Sequence, residues 1–148
     1  MDFKDLLINY DSYVKYLIGK RYLSYEDLDK ALQHLGSDFR IVVEGESELQ
    51  IPIKSINFGH GRHKILLWSQ MHGNESTTTK SLFDLLNTFF ANKLDHILTN
   101  CQLCIIPILN PDGAKAYTRH NANDVDLNRD AQALSQPESR ILRNIYKT

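Results

Sequence analysis

The sequence predicts an α/β fold built on a mixed sheet. Apolar residues recur every three or four positions near 2–18, after Ser24 and over 76–92, the spacing of amphipathic helices. Four short runs rich in Ile, Val and Leu read as strands. The first two runs make a hairpin, whereas the last two are separated by a helix and form a parallel crossover unit. A hairpin joined to a crossover requires both strand senses in one sheet.

In chain order, Phe3, Leu6, Leu7, Tyr10, Val14 and Leu17 mark the first helix. Ser24 and Asp27 have capping-box spacing, although Asp is a weaker partner there than Glu or Gln. Leu28, Leu32 and Leu35 give the second helix its buried stripe, and Gly36 fits its stop. Residues 1–36 therefore form an N-terminal helical segment. Phe39–Glu44 and Gln50–Ile56 are the hairpin strands, with a turn expected at Gly45–Glu48. Lys64–Ser69 reads as a buried strand. The following helix carries Leu82, Leu85, Leu86 and Phe89 on one face. Leu103–Leu109 is the fourth strand, and Pro137 opens a last helix at a position that proline favours.

The 148 residues are enough for one domain with a single core. A formal net charge of −1 gives no reason to expect nucleic acid or an anionic membrane as partner. No run reaches the length of a membrane span. The first residues lack the basic-then-apolar order of a secretory signal, so a chain starting at Met1 is expected to be cytoplasmic. Cys101 and Cys104 are formally a CxxC pair. On a strand, residues three apart point to opposite faces, and no second pair completes a zinc site.

The chemistry concentrates after the third and fourth strands. His72-Gly73-Asn74-Glu75 follows one, and Asn110-Pro111-Asp112-Gly113 follows the other. Ligands of open α/β sheets bind beyond the carboxyl ends of strands, so both segments should share one rim. An imidazole and a carboxylate three residues apart suit zinc, which accepts nitrogen and oxygen donors. Gly73 lets the chain turn tightly between them. The segment Arg119–Asp130 is dense in polar groups. Its two arginines beside amide side chains suit recognition of a carboxylate.

HxxE, Asn-Pro-Asp-Gly, Arg-x-Asn and Val-Asp-Leu-Asn-Arg follow one another in that order. The set resembles the zinc metallocarboxypeptidases of the carboxypeptidase A type over about residues 40 to 130. The stretch Trp68–Thr77 looks most like their bacterial branch. The resemblance implies a sandwich with helices on both faces of the sheet, here incomplete, with residues 39–148 as the N-terminal half of a peptidase domain. It implies Zn2+ on His72 and Glu75. It gives Arg119 the role of polarising the scissile carbonyl and stabilising the oxyanion. Asn128 and Arg129 would hold the substrate's terminal carboxylate, and Asp126 would orient His72. The Asn110–Gly113 turn would shape the rim without a direct catalytic role.

The family's third zinc ligand is a histidine after a further strand, and its general-base glutamate and a substrate-binding tyrosine lie later still. Among the other histidines, His60, His63 and His96 are expected at the surface, and His120 is the one local substitute. With four strands and few helices, one sheet side would stay uncovered, an unfavourable exposure of apolar surface. The chain is therefore expected to be part of a longer enzyme and inactive alone; otherwise an oligomer covers that face. The expected substrate is a peptide with a free carboxylate. HGNE and the Asp-x-Asn-Arg segment also look like the succinylglutamate desuccinylase and aspartoacylase relatives, which cleave N-acyl amino acids. Asn110–Gly113 and Arg119-x-Asn121 favour the peptidase side. A non-catalytic carboxylate-binding module is the third reading.

Overall fold

The computed structural model describes residues 3–13, 22–91 and 94–147. Helices α1 (Phe3–Ile8), α2 (Tyr10–Tyr13) and α3 (Tyr25–Leu32) precede strands β1 (Arg40–Glu46), β2 (Pro52–Phe58) and β3 (His63–Trp68). Then come α4 (Thr77–Phe90), α5 (Asp95–Leu98), β4 (Cys101–Ile106), α6 (Pro111–Ala116), a 3-10 turn (Leu127–Arg129) and α7 (Pro137–Lys147).

The four strands lie in the order β1-β2-β4-β3. β1 and β4 each pair with β2 antiparallel, and β3 pairs with β4 in parallel across α4. This is the predicted mixed sheet. Alternation along the strands sends Ile56, Phe58, Leu103 and Ile105 to one face, where Leu28 and Leu32 of α3 and Phe83, Leu86 and Phe89 of α4 pack on them. Phe58 sits edge-on between Phe39 and Phe89, with ring centroids 4.9 and 5.1 Å away. Such pairs add about 1 kcal/mol each beyond the area they bury. Ile53, Ile106 and Leu109 face the other side and meet Ile141, Leu142 and Ile145 of α7. Helices thus flank both faces.

Several expectations shift in detail. The first helix is broken at Asn9, whose backbone and side-chain amides both donate to the Asp5 carbonyl. Leu7 and Tyr10 are exposed rather than buried, and Val14 and Leu17 lie outside the described residues. The Ser24–Asp27 capping box forms in both directions, and α3 ends at Leu32 with Gln33 as its C-cap, before Gly36. The hairpin turn is not at Gly45–Glu48. Glu44 is the extra residue of a bulge, Gly45 and Glu46 still pair with β2, and the chain reverses at Ser47–Ile51. In α4, Phe83 is buried and Leu85 only partly so, because the helix is rotated slightly toward the Phe83 side.

The uncovered side is also smaller than expected. α7 closes part of it, and the Glu44, Ser55 and Asn57 side chains hydrogen-bond to one another on the same sheet face. Exposed apolar side chains gather instead on the outer strands: Ile41 and Val43 on β1, Ile65 and Trp68 on β3. Cys101 and Cys104 are free cysteines. Burial, reinforced by the Glu44 charge, pushes the Cys104 thiol up, which disfavours a reactive thiolate. Among the described residues no helix is long and apolar enough to cross a membrane.

Candidate active site

The β3–β4 ladder continues past both strands. Ser69 donates to the Ile106 carbonyl, Leu109 to that of Ser69 and Asn110 to that of Gln70. The two polar segments are therefore locked side by side at one rim. Asn110 does not sit in a simple turn as expected. It caps α6, accepting from the Gly113 amide at 2.8 Å, with Pro111 at the first helical position. Its amide donates to the Met71 carbonyl at 3.2 Å, holding the HGNE segment from behind.

Gly73 is required by packing at this point. A Cβ there would lie 2.0 Å from the Gly113 carbonyl carbon and 2.3 Å from the Ala114 nitrogen. With the loop pressed onto α6, His72 and Glu75 turn outward. His72 Nδ1 stands 3.2 Å from Glu75 Oε1, and His72 Nε2 stands 3.1 Å from Asp126 Oδ1.

Asp126 anchors the group. Its Oδ1 also accepts the Asn128 amide, and Arg119 Nε and Nη2 reach its Oδ2 at 3.3 and 3.2 Å. Burial opposes the charge, yet the Asn128 amide, His72 and Arg119 outweigh it and hold the carboxyl below its ordinary range. An ionised Asp126 accepts from Nε2–H, which assigns the proton of a neutral ring to Nε2 and leaves the Nδ1 lone pair facing Glu75. Two acceptor atoms that close call for a proton or a metal cation between them. Zinc bonds of about 2.1 Å in a tetrahedron set neighbouring donors about 3.4 Å apart, close to this spacing. His72 and Glu75 are donor types that zinc accepts, at a spacing compatible with two of its ligands.

Arg119 has a third contact, from Nη1 to Glu75 Oε1 at 3.1 Å. Its guanidinium is nearly half exposed, beside the His72–Glu75 pair. Asn128 and Arg129 occupy the 3-10 turn just beyond Asp126, with exposed side chains and with Leu127 buried beneath them. The structure thus brings His72, Glu75, Arg119 and Asp126 into direct contact and places Asn128 and Arg129 next along the chain. His120 does not join them; its Nδ1 pairs with Asp124 at 2.7 Å. His60, His63 and His96 are exposed. Among the described residues no group of three or more His, Cys, Asp or Glu is arranged to hold a metal.

The neighbouring amides prove structural. Buried Asn121 donates to Gln136 and Glu138 and accepts the Asn123 and Val125 amides, which fastens the Arg119–Asp126 loop to the start of α7. Asn123 donates to Gln136. Gln70 and Thr79, residues outside the ordered motifs, are both buried behind the HGNE segment. The available signal was a glutamine where an apolar strand runs out. A groove of about 1210 Å3 runs beside Glu44, Asn57, Trp68, Cys104 and Tyr146 and includes none of the candidate side chains. The site is an open rim.

The family profile described as zinc carboxypeptidase matches residues 25–144. The chain belongs to the zinc carboxypeptidase family. Carboxypeptidase SOL1 of Arabidopsis thaliana is 32% identical over 128 residues, covering 76% of this chain and 26% of that protein. Carboxypeptidase 2 of Trichophyton rubrum is 30% identical over 87 residues, 56% of this chain and 16% of its own length. The chain therefore spans between a sixth and about a quarter of these curated relatives. Among solved structures, a metallo-carboxypeptidase from Pseudomonas aeruginosa, in complex with (2-guanidinoethylmercapto)succinic acid, aligns with a TM-score of 0.73 at 21% identity. It covers 85% of this chain and 37% of that one. Carboxypeptidase A from Helicoverpa armigera aligns over 97% of this chain and 49% of its own, with a TM-score of 0.71 at 20% identity. At such identities these structures establish the carboxypeptidase fold.

Proposed function

We propose that this chain contributes the first half of the active site of a zinc carboxypeptidase that releases a C-terminal residue from a peptide. The observation that carries it is His72, fixed through Nε2 by Asp126 so that Nδ1 faces Glu75 Oε1 across 3.2 Å. His72 and Glu75 are the residues that would hold the metal. Bound zinc supplies water of lowered pKa as a nucleophile. Arg119 lies beside the pair and has donors to offer to oxyanion charge developing on a carbonyl. Asp126 keeps Arg119 aimed by binding two of its nitrogens. Asn128 and Arg129, exposed next to this group, provide an amide and a guanidinium fork for a terminal carboxylate. The chain taken alone is proposed to be inactive, with a cytoplasmic location for the protein.

The test uses the full-length protein. Zinc is expected at one equivalent per site, with zinc-dependent release of C-terminal residues from peptides that is lost in His72→Ala and Glu75→Ala. Hydrolysis of N-acyl amino acids in preference to peptides would favour the deacylase reading. Carboxylate binding without turnover would favour the binding module. Absence of zinc from the full-length protein would sink the peptidase proposal.

A further inference from the structure

We infer that Gln70, acting with Thr79, is a positioning residue that sets the metal affinity of the His72–Glu75 pair. This rests on the zinc reading above and adds the element behind it. Gln70 has a φ of 48°, in the left-handed region where side chains other than Gly, Asn and Asp are uncommon. A glycine would take that conformation without strain. The strain is offset by what the side chain does.

Gln70 is 4% exposed and Thr79 is fully buried. Gln70 Nε2 donates to the Gly73 carbonyl at 2.7 Å and makes a longer contact, 3.4 Å, with the Leu23 carbonyl. Its Oε1 lies 2.9 Å from Thr79 Oγ1. That hydroxyl is also 2.9 Å from the Pro107 carbonyl and from Ser69 Oγ. A threonine has one hydroxyl proton, so it is shared between Gln70 and Pro107 while Ser69 donates to Thr79. The carboxamide thus bridges the peptide between the two proposed ligands and the first turn of α4, just beyond Glu75.

The consequence is a fixed separation between His72 and Glu75. Gly73 O is held by Gln70, Met71 O by Asn110, and Gly73 N donates to the Arg119 carbonyl at 3.4 Å. Without the Gln70 bridge, the Gly73 carbonyl would be a buried acceptor without its partner, and the loop would shift to find one. Outer partners of metal ligands typically set affinity by about 10–100-fold.

The experiment measures zinc affinity in the full-length protein by competition with a chromophoric chelator, together with the visible spectrum of the cobalt(II) form. Gln70→Ala and Thr79→Val are expected to weaken zinc binding by about 10–100-fold and to alter the cobalt spectrum. Each variant also leaves a buried acceptor unpaired, so its zinc-free form should melt below wild type, and affinities are compared at a temperature where it is folded. Thr79→Ser keeps the hydroxyl and should restore affinity. In the wild type, the Gln70 side-chain amide resonances should shift when zinc is added, a readout that survives if Gln70→Ala fails to fold. Wild-type affinity in both variants, or Gln70 resonances indifferent to zinc, would overturn the inference. If His72→Ala abolishes binding while Gln70→Ala leaves it intact, only this inference falls. If the wild type itself binds no zinc, the zinc reading falls, and this inference with it.

Discussion

Asp130→Asn should loosen the clamp loop, and its cost can be worked out from the structure. Asp130 follows the turn that presents Asn128 and Arg129, and it is 4% exposed. One carboxylate oxygen accepts the Ser135 amide at 2.9 Å and its hydroxyl at 2.7 Å; the other accepts the Gln136 amide at 2.9 Å. Burial alone would raise its pKa, but the Ser135, Gln136 and Ser139 donors prevail and lower it from 3.8 to about 2. That fall corresponds to about 2 kcal/mol of folding stability at neutral pH. An asparagine would turn an NH2 toward a donor, so it cannot replace both oxygens. Because the folded pKa is depressed, the contribution is complete above about pH 5 and is lost as pH falls toward 2; about half is left near pH 3. Urea unfolding followed by circular dichroism should therefore show Asp130→Asn less stable than wild type by about 2 kcal/mol at pH 7, with the gap roughly halved at pH 3. Equal stabilities at pH 7, or a gap that does not narrow in acid, would refute the reasoning.

Asp126→Asn should weaken zinc binding by about 10–100-fold in a competition titration, since the imidazole loses its charged anchor. In the full-length protein, Arg119→Lys keeps the charge but loses the fork to Asp126 and the Glu75 contact together; a fall in kcat of about 100-fold is expected with zinc content unchanged. Gly73→Ala should lower the unfolding free energy by about 2 kcal/mol in urea titration, because its methyl meets backbone of α6 rather than a movable side chain. Glu138 is fully buried, and that burial, reinforced by Asp112, pushes its carboxyl up from 4.5. An acid with a raised folded pKa subtracts stability above its ordinary pKa. Glu138→Gln should therefore raise the midpoint at pH 7 more than at pH 4.

The strands were legible because their apolar periodicity is local, and the crossover followed from strand, helix and strand in succession. The hairpin turn was misplaced by the glycine at Gly45, which serves a bulge, while the reversal falls on Ser47–Ile51 without a glycine. The break at Asn9 falls where a polar side chain shares the Asp5 carbonyl with its own backbone amide. In the candidate site, the expected contact between His72 and Asp126 joins residues 54 positions apart. It was readable through the ordered motifs, not from spacing. Gln70, Thr79 and Asp130 escaped notice because buried polar side chains leave no periodic trace. Their roles exist only once three segments converge.

The chain's single tryptophan, Trp68, ends β3 four residues before His72 and is 45% exposed. It reports optically on the rim without any label. In the present fold its indole meets water and should emit toward the red. A strand laid along the outer side of β3 would dry it and move the emission to the blue, so ordinary fluorescence can follow assembly of the sheet in real time.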